Sequence, residues 1–92
     1  LRIAIGARTV MLYGHAVALP PKEFDLLLKL AQNQHLALSR DQLLQSVCGF
    51  DYYGDSRTVD TLVRSLREHL GEYRKVIQTV WGVGYKFEYE NI

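Results

Sequence analysis

The sequence predicts one α+β domain: short strands first, then three helices, then a closing β-hairpin. Three observations carry that expectation. The first nineteen residues break into brief β-favouring runs separated by glycine-bearing turns. Three later stretches repeat apolar residues at helical spacing, each with its own start or stop signal. The end of the chain places two alternating segments around Trp81-Gly82-Val83-Gly84. Ninety-two residues hold a single small core.

Taken in order, Arg2-Ile3-Ala4-Ile5, Arg8-Thr9-Val10-Met11-Leu12 and Ala16-Val17-Ala18-Leu19 read as an antiparallel meander, with turns at Gly6-Ala7 and Tyr13-Gly14-His15. Pro20-Pro21-Lys22-Glu23 opens the first helix, with Pro21 placed where a missing N–H costs nothing. Phe24, Leu27, Leu28 and Ala31 recur on one face, and Leu26 and Leu30 widen it into that of a central helix. Asn33-Gln34-His35 ends it, and Leu36-Ala37-Leu38 has room only for a connecting strand or turn.

Ser39-Arg40-Asp41-Gln42 is a capping box for the second helix, whose inner face is Leu43, Leu44 and Val47. A turn-rich loop follows over residues 48–54. Asp55 or Ser56 caps the third helix, which is expected to reach about Leu70 and stop at Gly71. Val76 to Val80 and Tyr85 to Tyr89 form the hairpin strands.

Composition narrows the function. Hydrophobic content of 48% and charged content of 23% fit an ordinary globular protein, and no apolar run nears the roughly 18–20 residues of a membrane span. Lone Cys48 excludes an internal disulfide and suits a reducing cytoplasm. His15, His35 and His69 share no spacing and form neither a metal quartet nor a nucleophile–base pair with Cys48. No catalysis, metal or cofactor is expected. Gly82-Val83-Gly84 is a fragment of a dinucleotide fingerprint in the wrong context, a hairpin rather than a strand–helix junction.

Net charge is only +1, but it is unevenly placed. Residues 1–55 carry five basic and five acidic side chains, residues 56–86 carry six and three, and the tail adds two acids. Positive charge therefore concentrates in the third helix and hairpin, which predicts modest affinity for a polyanion.

At about 100° per residue, Val59, Val63, Leu66 and Leu70 form the buried stripe of the third helix. Arg57, Thr61, Arg64, Ser65 and Glu68 lie opposite, with Leu62 and Arg67 on the borders. Such a helix followed by a ribbon can enter a DNA major groove about 12 Å wide, the ribbon reaching the backbone or the adjacent minor groove. Arg57, Arg64 and Arg67 then suit phosphates, and the short Thr61 and Ser65 suit base edges. Leu62 either adds an apolar contact or packs against the preceding loop. In the hairpin, Thr79 and Lys86 suit phosphate, and Trp81 either lies along a sugar–phosphate edge or packs back over the third helix.

Several linked segments, from the first strands to Phe87, resemble the OmpR/PhoB family, the winged helix-turn-helix output domains of bacterial response regulators. They are Pro21-Lys22-Glu23-Phe24-Asp25-Leu26-Leu27, Ser39-Arg40-Asp41-Gln42-Leu43-Leu44, Ser56-Arg57-Thr58-Val59-Asp60, Leu66-Arg67 and Gln78-Thr79-Val80-Trp81-Gly82-Val83-Gly84-Tyr85-Lys86-Phe87. The resemblance implies a four-stranded antiparallel N-terminal sheet, three helices and a C-terminal hairpin wing. It implies a cytoplasmic transcription factor binding double-stranded DNA as a head-to-tail dimer on tandem half-sites, about 10–10.5 bp apart. Its phosphorylated receiver domain would precede Leu1, so the chain is expected to be part of a longer one.

By the same resemblance the loop before the third helix meets RNA polymerase, through Phe50, Asp51, Tyr52 and Tyr53. Those aromatics form a sticky surface or plug the core beneath. Three residues depart from the family pattern: Pro20 for a threonine cap, Ser65 for a base-reading arginine and Trp81 for a wing arginine. These imply weaker or differently specific DNA binding. The alternative function is a protein-interaction module that has lost DNA binding.

Overall fold

Alternation in the first strands produces the meander that the sequence predicts. The computed structural model describes residues 2–49 and 54–89. Strands β1 (Arg2–Ala4), β2 (Thr9–Leu12) and β3 (His15–Ala18) form an antiparallel sheet in that order, with Ile3 opposite Val10 and Val10 opposite Val17. Tyr13 and Gly14 both take positive φ, 53° and 79°, in a two-residue turn whose twist suits a hairpin. Val10 and Leu12 point inward from β2.

Helix α1 (Pro21–Gln32) lies at the centre: Phe24, Leu26, Leu27 and Leu30 are fully buried. Pro21 occupies its first turn and Pro20 supplies no side-chain cap. Asn33 closes the other end by donating from Nδ2 to the Lys29 carbonyl at 2.9 Å. A two-residue strand β4 (Leu38–Ser39) runs straight into α2 (Arg40–Cys48), whose capping box is fully formed. Gln42 N–H donates to Ser39 Oγ at 3.1 Å, and Ser39 N–H donates to Gln42 Oε1 at 2.8 Å. Ser56 stands at the N-cap of α3 (Arg57–Leu70) without a side-chain cap bond, and Asp55 before it accepts from the Arg57 N–H at 2.9 Å. Gly71 ends α3 at φ 60°.

Two features differ from expectation. The N-terminal sheet has three strands, not four: β4 pairs instead with the C-terminal hairpin of β5 (Ile77–Val80) and β6 (Gly84–Phe87), giving a second sheet in the order β4-β6-β5. The reason is local to Gly84. A side chain there would fall on the Leu38 carbonyl oxygen, so only glycine lets β4 lie this close to β6. Second, a 3-10 turn spans Gly71–Val76 between α3 and β5. Tyr13 reaches it, donating to Glu72 Oε2 at 2.5 Å and packing on the Tyr73 ring at 5.0 Å. The loop expectation at Phe50, Asp51, Tyr52 and Tyr53 lies outside the described residues.

Candidate nucleic-acid interface

The buried stripe of α3 is the predicted one, Val59, Val63, Leu66 and Leu70, and it fixes where every other side chain of the helix points. Thr61 and Arg64 face outward and are exposed. Among the described residues Thr61 donates only to the Arg57 carbonyl, at 3.3 Å. Arg64 makes no hydrogen bond or ion pair among the described residues. Arg57 is exposed but tied to Asp55 through Nε at 2.7 Å and a terminal nitrogen at 2.6 Å. These bonds hold the Asp55 carboxyl below its ordinary range and raise the guanidinium.

The flanks of α3 are fastened to the rest of the domain. On one side Glu23, buried at 4% exposure, accepts from Ser65 Oγ at 3.0 Å and lies 2.6 Å from His69 Nδ1. Ser65 is therefore half-buried and turned toward α1, not openly outward as helical spacing suggested. One carboxylate oxygen thus serves the Ser65 hydroxyl and the other the His69 imidazole. Leu62 is half-buried against the core.

On the other side Arg67 donates to the Ile77 carbonyl through Nε at 3.2 Å and Nη2 at 2.8 Å, and through Nη2 to Thr79 Oγ1 at 3.0 Å. Its guanidinium also stacks 5.6 Å from the Tyr85 ring centre. The residue expected to meet phosphate thus straps the hairpin to α3, and takes up Thr79 in doing so. Asp60 adds a second brace: it accepts from the Tyr85 hydroxyl at 2.6 Å and from Arg40 Nε at 3.0 Å. Burial, and then this bond, raise the Tyr85 phenol above its ordinary value.

Between α3 and the hairpin these braces leave an open groove of about 500 Å³. Arg40, Arg64, Arg67 and Arg74 line it beside Trp81, and Asp60, paired with Arg40, and Glu68 add two opposing charges. Trp81 is 89% exposed, so it does not pack over α3. Lys86, 3.4 Å from Glu88, sits on the strand behind the tip. Arg40 and Arg74 were not singled out in the sequence. Arg40 is hidden in a capping box, and Arg74 in the 3-10 turn whose basic pair Arg74-Lys75 was its one visible sign. Arg74, like Arg64, has no partner among the described residues.

Among those residues no cluster of three or more His, Cys, Asp or Glu side chains could hold a metal ion, and no helix is long and apolar enough to cross a membrane. The family described as "Transcriptional regulatory protein, C terminal" matches residues 14–87. The chain belongs to this family. Within the family it is 52% identical over 83 residues to the uncharacterized transcriptional regulatory protein YclJ of Bacillus subtilis, covering 88% of this chain and 37% of YclJ. The chain spans little more than a third of the length of the curated relatives it matches, 37% and 38%. Its fold matches the DNA-binding domain of Bacillus subtilis CssR with a TM-score of 0.84 at 39% identity, over 94% of this chain and 97% of that one. It also matches the Klebsiella pneumoniae RstA DNA-binding domain, solved in complex with the RstA box. There the TM-score is 0.81 at 37% identity, over 94% and 88%. These are winged-helix response-regulator domains, and the α+β architecture here is theirs.

Proposed function

We propose that this chain is the sequence-specific, double-stranded DNA-binding part of a bacterial response regulator that controls transcription. One observation carries the reading: four arginines line a groove between the outer face of α3 and the hairpin, two of them without partners among the described residues. α3 enters the major groove with Thr61 at the base edges, and Arg64, Arg74 and Arg40 meet phosphates on either side. Arg57 joins them by exchanging Asp55 for a phosphate. Arg67 and Thr79 set the angle of the wing, Ser65 and Leu62 set the seat of α3 on the core, and Lys86 adds charge along the wing.

The rest of the proposal follows from family membership. A phosphorylated receiver domain precedes this one in the full protein, which works in the cytoplasm without catalytic activity of its own. Two copies bind tandem half-sites head to tail, and residues Phe50 to Tyr53 meet RNA polymerase. Selection of duplexes from a randomised library, with Arg64→Ala as control and retesting at two salt concentrations, tests the reading. A repeated motif that is lost in the control and weakened by salt is the expected result. Failure of a forced dimer to enrich any motif would instead favour a protein-docking module.

A further inference from the structure

The tip of the wing lacks the chemistry that its surroundings supply. From Val80 to Gly84 there is no charged residue; the exposed side chains there are Trp81, at 89%, and Val83, at 49%. An indole held in water on a hairpin tip stabilises nothing within the domain. The hairpin beneath it is nevertheless firmly held. Arg67 straps β5, the Tyr85 hydroxyl anchors β6 to Asp60, and β4 closes against Gly84. Gly82, at φ 82°, makes the turn that presents Trp81 and Val83 together. Arginines 40, 64 and 74 stand behind the tip, where they would hold the flanking phosphates.

We infer that Trp81 is an apolar wedge for the minor groove, seated against the sugar edges and partly unstacking a base step beneath the wing. This rests on the DNA-binding reading and deepens it. Minor-groove proteins that insert apolar side chains gain by kinking flexible steps, whereas an inserted arginine gains from the negative potential of a narrow A-tract. A tip without charge can use only the first mode. Trp81 therefore sets a specificity in this domain that differs from that of an arginine-tipped wing: pyrimidine–purine steps are favoured over stiff A-tracts at the wing position.

Trp81 is the sole tryptophan, so intrinsic fluorescence reports on the tip alone. With the selected duplex, emission should be quenched and shielded from acrylamide. Trp81→Ala should keep the thermal stability, lose roughly 5- to 150-fold in affinity, and leave the salt slope unchanged. Trp81→Phe should recover most of that loss. Trp81→Arg should steepen the slope by about one and move the preference toward A-tracts. Inosine in place of guanine beneath the wing removes only the minor-groove amino group, and should tighten binding by the native chain but not by Trp81→Ala. Salt-dependent binding with Trp81 still fully open to acrylamide, or with unchanged affinity in Trp81→Ala, would overturn the wedge and leave DNA binding standing. Absence of duplex binding by the native chain would overturn both.

Discussion

Arg64 and Arg67 carry the same guanidinium three residues apart on α3, and the fold gives them different tasks. Arg64 projects into solvent without a partner among the described residues, whereas Arg67 is half-buried and makes three hydrogen bonds across to β5. Arg67→Ala should therefore cost about 1–3 kcal/mol of stability, because it leaves the Ile77 carbonyl unpaired and frees the wing. Arg64→Ala should stay within about 0.5 kcal/mol of the native stability while weakening duplex binding and flattening the salt slope by about one. Thermal unfolding beside affinity titrations separates the two; equal losses of stability would refute the assignment. Tyr13 gives a second test. Its hydrogen bond to Glu72 is the main reason its phenol is pushed up from 10.0 to about 12. The folded value lies above the unfolded one, so the stabilisation is fully present below about pH 10 and is lost as pH rises through about 12. Tyr13→Phe should flatten the fall in melting temperature across that window, relative to the native chain.

Elements whose cause lies within a few residues were legible in the sequence. The capping box at Ser39 and Gln42, the stop at Gly71 and the buried stripe of α3 stand where spacing predicted them. The 3-10 turn over Gly71–Val76 was not legible, because its stability comes from Tyr13 and the ring contacts of Tyr73, and from no pattern of its own. Gly82 and Gly84 show the boundary most clearly. Both read as turn residues, yet only Gly82 has the positive φ of one, with open space around its Cα. Gly84 belongs to β6, where its constraint is the Leu38 carbonyl of a strand far away in sequence. Gly82→Asn should consequently be mild, since asparagine tolerates that conformation. Gly84→Ala should cost about 1–3 kcal/mol by forcing β4 away from β6. Denaturant unfolding of both variants checks the order, and a reversed order would mean that the turn, not strand contact, selects these glycines.

At the scale of the molecule, α3 is held from both flanks: Glu23 binds Ser65 and His69 on one side, and Arg67 and Asp60 bind the hairpin on the other. Periodicity revealed the faces of α3 but not these partners, so Ser65 and Arg67 read as free for DNA. That bracing makes helix and wing one surface, and it bears on the proposed head-to-tail pairing of two copies on one duplex. The longest extent of the domain is 38 Å, against 25 and 20 Å in the other directions. Tandem half-sites one turn apart repeat every 34–36 Å or so. In the proposed pairing, neighbouring copies would meet with the long axis along the duplex, where 38 Å matches the repeat, and a braced domain would not stretch to keep that contact. Inserting about five base pairs between half-sites adds roughly 17 Å and half a turn, placing the second copy on the opposite face. Binding to each half-site should persist while cooperativity disappears, and it should stay lost with a full-turn insertion, because facing alone is then restored. Anisotropy titrations on the three duplexes measure this. Cooperativity recovered at the full-turn spacing would instead require a flexible bridge outside the described residues.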